Sequence, residues 1–233
     1  GEGFLKIKNL PLSAANIFLN QPKDFLGGLD MNLFYNLDKK SFSSKISSND
    51  SSIKNNKILF DKGIIEFSNS IFDIDFSLIL NDSKIPINIA GLIPINNSEN
   101  LDLRFIGDAK FIELIDIFAD EYFTFEEGEV NLRMIIKGTI NKPILNGFVV
   151  INDSEINFYN NLIKDINSLI IFDFDSFEIK YLEAKSEDSG NIFIKGSLPF
   201  YSQNDTGEAE INLITNKFTI KADNFNFLVD SDV

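Results

Sequence analysis

The feature that most constrains this chain is a period of two in its apolar residues. Phe72, Ile74, Phe76, Leu78 and Leu80 fall on one side of an extended segment, and Asp73, Asp75 and Ser77 fall on the other. Ile170, Phe172 and Phe174 repeat the pattern against Ile171, Asp173 and Asp175. Ile192/Ile194, Ile211/Leu213, Phe218/Ile220 and Phe225/Phe227/Val229 carry it on. Successive side chains of a strand point to opposite faces, so the alternation predicts β-strands with one apolar and one wet face. That is the signature of antiparallel meanders rather than of parallel sheets buried on both sides. Turn signals at Asn81-Asp82-Ser83, Asn141-Lys142-Pro143 and Asp188-Ser189-Gly190 separate the runs. The apolar residues also suit pleated surfaces: there are 24 Phe and no Trp, and Phe and Ile both favour strands.

Two segments depart from this period. Leu12 to Leu19 and Phe111 to Ala119 place apolar residues at roughly helical spacing, with Leu114, Ile115 and Phe118 on one face of the second. Each reads as a short helix of two to three turns; the alternative for each is a strand with a bulge. The expected fold class is therefore all-β with one or two short helices.

The chain also repeats itself. Leu26-Gly27-Gly28-Leu29-Asp30-Met31-Asn32-Leu33 recurs as Glu126-Glu127-Gly128-Glu129-Val130-Asn131-Leu132. Asn49-Asp50-Ser51 recurs as Asn152-Asp153-Ser154, Phe72-Asp73-Ile74-Asp75 as Phe172-Asp173-Phe174-Asp175, and the Gly-x-x-Pro of Gly91 as that of Gly196. Gly28/Gly128, Asp50/Asp153, Asp73/Asp173 and Gly91/Gly196 lie 100, 103, 100 and 105 positions apart. Four blocks in one order predict a repeat unit of residues 1–100 with its helix near 12–19, and a second of 101–200 with its helix near 111–119. Residues 201–233 would start a further unit. Each unit reads as a short helix, a Gly-marked turn and about eight short strands, stacked into a continuous sheet rather than separate domains.

Charge and composition bound the function. With 44% hydrophobic and 24% charged residues the chain is globular in kind. A net charge of −14 argues against nucleic acid, which needs a Lys/Arg surface, and against simple docking on anionic headgroups. The chain has no His and no Cys, so disulfides, thiolate metal sites and the usual nucleophile–base pairs are absent. Asp73/Asp75 and Asp173/Asp175 have the spacing of calcium or acid–base pairs, but they lie opposite the apolar stripe and read as a solvated face. Glu126-Glu127 and Glu187-Asp188 read as turn residues, and sequons such as Asn152-Asp153-Ser154 as turn chemistry. Neither a phosphate loop nor a dinucleotide fingerprint occurs. The expectation is a protein that is not an enzyme and has neither cofactor nor metal.

If any residues form a binding site, they are those of the stripe: Phe72, Ile74, Phe76, Leu78, Phe172, Phe174, Ile192, Ile194, Phe218, Ile220, Phe225 and Phe227. Two readings are open. In a closed sandwich they pack against a facing sheet at near-crystal density. In an open gutter they line a groove wide enough for an acyl chain, which Phe suits because it has no polar group to satisfy. No apolar run approaches the roughly 18 residues of a membrane helix. Both ends have the look of cuts, since the chain starts Gly1-Glu2-Gly3 and stops within an alternating pattern. A longer parent protein is expected, with its targeting signal and anchor elsewhere.

Several motifs resemble a known family. Asn9-Leu10-Pro11-Leu12 leading to Gly27-Gly28-Leu29 resembles the unit opening of TamB and other AsmA-like proteins. The run from Lys137-Gly138-Thr139 through Pro143-Ile144-Leu145-Asn146-Gly147-Phe148 is similar to a TamB pattern in which a Gly-Thr strand meets a Pro-x-Leu-x-Gly turn. A polar turn at Asn152-Asp153-Ser154 and a closing strand from Gly190 to Pro199 complete it. The match is best over residues 100–200, weaker elsewhere, and fits the C-terminal half of such a protein. The resemblance implies an elongated U-shaped antiparallel sheet, likened to a taco, with an apolar interior groove. It further implies the periplasmic portion of an inner-membrane-anchored bacterial envelope protein whose anchor lies outside this fragment. The implied partners are phospholipid acyl chains moving between the two membranes and an Omp85-family (TamA-like) outer-membrane barrel, with a role in outer-membrane protein assembly and secretion. A chloroplast-envelope relative works in protein import. Two other classes compete: an assembly scaffold pairing its open sheet edge with the barrel or a client, and a closed β-sandwich adhesion domain. Small-angle scattering separates them, with an elongated rod expected for the conduit and the scaffold and a compact globule for the sandwich.

Overall fold

In the computed structural model the alternating runs are strands, and residues 1–18, 24–54, 56–81, 83–108, 123–200, 209–222 and 225–229 are described. In chain order they are β1 (Glu2–Pro11), β2 (Phe25–Asn36), β3 (Ser41–Ile53), β4 (Asn56–Ser68), β5 (Ile71–Leu80), β6 (Ile87–Pro94) and β7 (Asn100–Asp108). Then follow β8 (Phe123–Thr139), β9 (Lys142–Phe158), β10 (Asn161–Phe174), β11 (Ser176–Ser186), β12 (Asn191–Pro199), β13 (Glu210–Asn216), β14 (Phe218–Ala222) and β15 (Phe225–Val229). The hydrogen-bonded order is the chain order, β1 to β13, in one antiparallel sheet; β14 and β15 form a second sheet of two strands. The fold class is all-β.

The helical expectations fare differently. Leu12–Phe18 is helical, but as a 3-10 helix. Seven residues cannot repay the cost of nucleating an α-helix, and short connectors take the tighter turn instead. The helix expected at 111–119 lies outside the described residues.

Several segments read as turns lie within strands. Asn49-Asp50-Ser51 is inside β3, Asn152-Asp153-Ser154 inside β9, Glu126-Glu127 inside β8, and Gly27-Gly28 inside β2. The strands are accordingly longer than the short ones expected, reaching 17 residues in β8 and β9. What looked like turn chemistry is bulge chemistry. Asn9, Asp50, Asp153 and Asp165 have φ of 54°, 46°, 43° and 51°, in the left-handed region that Asn and Asp tolerate best. Pairing slips at all four points, between Ile7 and Leu10, between Leu26 and Gly28 opposite Asp50, between Ile163 and Ile166, and between Ile166 and Ser168 opposite Asp153. Each bulge inserts one extra residue, so the apolar period jumps from two to three at that point: Ile7 to Leu10, Ser48 to Ser51, Ile151 to Ser154 and Ile163 to Ile166. The amides freed there find side chains. Asn9 N–H donates to Asp30 Oδ1 at 2.8 Å, and Asp153 N–H to Asn167 Oδ1 at 3.1 Å.

By its contacts the chain divides into two units, residues 1–106 with 135–143, and residues 107–134 with 144–233. Each contains the same local devices. In each a fully buried serine follows the left-handed Asp: Ser51 in the first and Ser154 in the second. Ser51 Oγ donates to Gly28 O at 2.8 Å, and a Cβ on Gly128 would stand 2.1 Å from Ser154 Oγ. In each a Gly with φ above +130°, Gly91 or Gly196, sits where a Cβ would strike the neighbouring strand's carbonyl, that of Asp102 or Glu210. In each the residue after the proline closes a turn, Ile95 N–H to Ser70 O at 2.9 Å and Phe200 N–H to Asp175 O at 2.7 Å.

These pairs also correct one block of the repeat. Gly91/Gly196, Pro94/Pro199 and Ser70/Asp175 share an offset of 105 residues. Phe72 opens the strand paired with the Pro94 strand, and its counterpart is Phe177, which opens the strand paired with the Pro199 strand. Phe172 instead corresponds to Phe67, one strand earlier. The Phe-Asp alternation is common to adjacent strands, so sequence matching aligned the wrong member of the pair.

Among the described residues, full burial of apolar side chains is confined to short stretches. In the first unit these are Phe25, Ile53, Ile58, Leu80 and Ile87; in the second, Val130, Leu132, Ile166, Ala184 and Phe218. The left-handed Asp positions give a direct test. Asp153→Gly should leave the urea unfolding free energy within about 0.5 kcal/mol of the parent, whereas Asp153→Val should lower it by about 1–3 kcal/mol, because a β-branched residue is strained at that φ.

Candidate functional site

The candidate site is the apolar face of the sheet, taken separately in each unit. Directly paired residues of an antiparallel sheet share a face, so the registers trace rows of side chains across it. In the first unit one row runs Leu5, Leu33, Ser44, Ile65, Ile74, Gly91, Leu103. A second runs Gly3, Tyr35, Phe42, Phe67, Phe72, Ile93. Gly63, Phe76, Ile89 and Phe105 make a third, and Phe60, Leu78 and Ile87 a fourth. The four stripe residues of β5 thus stand in four adjacent rows.

Aromatic contacts hold these rows together laterally. Phe42 and Phe67 are stacked with centroids 5.4 Å apart, Phe67 and Phe72 are 4.9 Å apart, and Phe72 meets Phe42 edge-on at 6.1 Å. Phe60 and Phe76 meet edge-on at 5.9 Å. Each such pair contributes about 0.5–1.5 kcal/mol beyond its burial. Small residues interrupt the bulk. Ser44 is buried in the first row with no hydrogen-bond partner for its Oγ, and Tyr35 lies over Gly3, whose Cβ would stand 2.2 Å from the Tyr35 hydroxyl oxygen.

The second unit builds its face in the same way. Its rows are Gly147, Phe172, Phe177, Leu198; Val149, Ile170, Ile179, Gly196, Ile211; and Ile151, Ser168, Leu182, Ile194, Leu213. Phe172 stacks on Phe200 at 5.9 Å and 4° between planes, and Phe177 lies 5.4 Å from Phe200. Farther along the strands, Val130, Ile151, Ile156, Ile166, Leu182, Ile192 and Ile194 line, together with Phe218 and Ile220, an apolar hollow of about 470 Å³. A volume of this size falls within the usual range of small-ligand sites. Ser154 reaches it with its polar atom already engaged, its Oγ donating to Asn152 O at 3.1 Å.

Most of the stripe residues named from the sequence are brought into these rows. Phe72, Ile74, Phe76, Leu78, Phe172, Ile192, Ile194 and Ile220 are half-buried, and Phe218 is only 3% exposed. Phe218 and Ile220 belong to the two-stranded sheet rather than to the main one. Phe225 and Phe227 lie on β15 in register with Ala222 and Ile220. Phe174 leaves the stripe. Its φ of +60° turns the chain at the end of β10, and it is 60% exposed. Sequence reasoning missed Phe42, Phe67, Phe177 and Phe200. Phe42 alternates with Ser44 and Ile46, a pattern hidden by the serines of β3; Phe67 and Phe177 sit at strand ends, where pairing and not period identifies the partner.

The opposite face is not uniformly polar. Phe148 pairs with Ile171, Val150 with Leu169, Leu169 with Tyr181, and Phe193 with Ile214, which is 55% exposed. It also carries charged residues, among them Lys185 and Asp165, 2.8 Å apart. The Asp165 carboxylate, by accepting a hydrogen bond and by its charge, holds the Lys185 ammonium above its ordinary pKa. Among the described residues no group of three or more Asp or Glu is placed to hold a metal ion, and no helix is long and apolar enough to cross a membrane.

Comparison with known proteins finds no matching family model, no matching curated protein and no matching solved structure.

The stacked and the exposed phenylalanines should respond oppositely to charge. Phe172→Asp should cost about 2–4 kcal/mol in urea unfolding, since it removes a ring from the Phe177/Phe200 cluster and puts a carboxylate on the apolar face. Phe174→Asp should stay within about 0.5 kcal/mol, because the position is exposed and Asp accepts its backbone conformation.

Proposed function

We propose that this chain is part of a TamB-like protein of the bacterial envelope and that its apolar face carries phospholipid acyl chains between the inner and outer membranes. The role is one of passage, with no catalysis. The observation that carries the reading is the half-burial of the stripe: rows of Phe, Ile and Leu run from strand to strand, packed side by side within the sheet. A closed core would bury the same residues almost completely, as Leu80 and Ile87 are buried, each 1% exposed. Contiguous apolar surface left in this state marks a binding surface for lipid or for another protein. The apolar hollow of the second unit supports lipid, since its lining offers an acyl chain dispersion contacts and leaves no polar group unpaired.

The U-shaped form, the periplasmic position, the inner-membrane anchor outside this chain and the work beside an Omp85-type barrel belong to the same proposal and rest on the sequence resemblance. The acidic character fits transfer without adsorption, because a net charge of −14 is repelled by anionic headgroups while the apolar rows receive the tails.

Protein purified from a bacterial envelope without detergent should carry phospholipid, detected by lipid extraction and native mass spectrometry. Ile194→Asp, which puts a carboxylate into the hollow, should reduce the bound lipid at least about tenfold. Lipid-free protein that also fails to bind apolar dyes would remove the conduit reading.

A further inference from the structure

We infer that the acyl-binding site is the hollow of the second unit, opened by Ala184, and that the matched residue of the first unit, Leu78, closes the equivalent place there. The inference rests on the lipid-binding reading above and assigns that reading to one hollow and one determining residue.

The two units match strand by strand. Gly91 and Gly196, 105 residues apart, stand opposite Ile74 and Ile179. Farther along these strand pairs, Ile89 and Ile194 stand opposite Phe76 and Leu182, and Ile87 and Ile192 opposite Leu78 and Ala184. On the other neighbouring strand, Ile58 stands opposite Leu80, and Ile163, again 105 residues on, opposite Ser186. Three successive inward positions thus hold Phe76, Leu78 and Leu80 in the first unit, and Leu182, Ala184 and Ser186 in the second. β11 reaches them after one extra residue between Ile179 and Leu182. Every one of the three is smaller in the second unit.

The isoleucines beside these positions carry the consequence. Ile53, Ile58 and Ile87 are 7%, 6% and 1% exposed. Their counterparts Ile156, Ile163 and Ile192 are half-buried and line the hollow. The residue is the same in each pair, and for two of them the partner across the ladder differs. Ile87 has the isobutyl group of Leu78 directly opposite, at about 4.5–5.5 Å between Cβ atoms, and Ile58 has that of Leu80. Ile192 has only the methyl of Ala184, and Ile163 has Ser186, whose hydroxyl accepts the Gly190 N–H at 3.1 Å.

Unfilled apolar space costs stability, because the atoms lining it lose their packing partners. A chain that needed only to fold would gain by filling the second place with the leucines it uses in the first. The lining states what fills it instead. It is apolar apart from Ser154, whose hydroxyl is engaged, and it carries no charged side chain. A charged or hydrogen-bonding group would lose its water there without gaining a partner, whereas a hydrocarbon chain gains dispersion contacts. The hollow is partly open, so an acyl tail lies in it with its polar head left in water.

The test uses the full 233-residue chain and phosphatidylcholine with a pyrene-labelled acyl chain, offered from vesicles and counted per protein after the vesicles are removed. Ala184→Leu should lower the bound lipid at least about tenfold, with the urea midpoint at or above that of the parent, because the new side chain enters free space. Leu78→Ala, which gives the first unit the arrangement of the second, should raise the bound lipid about twofold. Far-UV circular dichroism identifies the variants that keep the sheet; Ala184→Val replaces Ala184→Leu if that one does not, and the Ala184 variants carry the test alone if Leu78→Ala does not fold. Unchanged binding in a folded Ala184 variant would overturn the assignment and leave the wider apolar face as the carrier. A folded Leu78→Ala variant that binds no more than the parent would overturn the role given to the Leu78/Ala184 difference. No binding by the parent or any variant would overturn the lipid reading and this inference together.

Discussion

Everything in this structure depends on keeping apolar side chains on one face of the sheet through long antiparallel strands. A one-residue slip would turn every side chain of a strand to the other side. A chain whose strands reach 17 residues cannot hold both that parity and the right-handed twist without local adjustment. The adjustment is the bulge, and its chemistry is specific: Asn9, Asp50, Asp153 and Asp165 take a left-handed turn within the strand. After each, the next inward residue comes three positions on instead of two. Hydrogen bonds donated by the displaced amides of Asn9 and Asp153 to the side-chain oxygens of Asp30 and Asn167 stop those bulges from sliding along the strand.

From that parity the rest follows. Because it is kept, Phe42, Phe67 and Phe72 come together from three strands, and Phe172 and Phe177 from two others meet Phe200 just beyond β12. Because each cluster is made laterally, within one sheet, its members stay half-buried. Lateral packing supplies part of the stabilisation that a facing sheet would provide in a sandwich, and backbone ladders supply most of the rest. Glycines set the finer relief. Gly91 and Gly196 admit the neighbouring strand's carbonyl, Gly3 admits the ring of Tyr35, and Gly190 admits the carbonyl of Lys217.

Much of this was legible in the residues. The strand class, the antiparallel meander and most of the stripe follow from alternation, because a period of two has one structural meaning. Phe72, Ile74, Phe76 and Leu78 lie in an unbroken run and were placed on one face without ambiguity. Phe174 was not, because nothing in Phe-Asp-Phe-Asp distinguishes a strand that continues from one that turns, and the φ of +60° is set by the turn into β11. The polar triplets Asn49-Asp50-Ser51 and Asn152-Asp153-Ser154 read as turns for a related reason. Asn and Asp favour the left-handed region in turns and bulges alike, and only the flanking strands' pairing tells them apart. The same limit misaligned one block of the repeat, since Phe67 and Phe72, like Phe172 and Phe177, sit opposite each other on adjacent strands.

The sequence by itself determined the secondary structure, the face on which most apolar residues lie and the presence of two similar stretches, because all of these are local or periodic properties of the chain. Tertiary structure decided which phenylalanines meet and where bulges replace turns. The physical reason is that these depend on register between strands and on the space left beside a glycine. Neither is written in the period of any single strand.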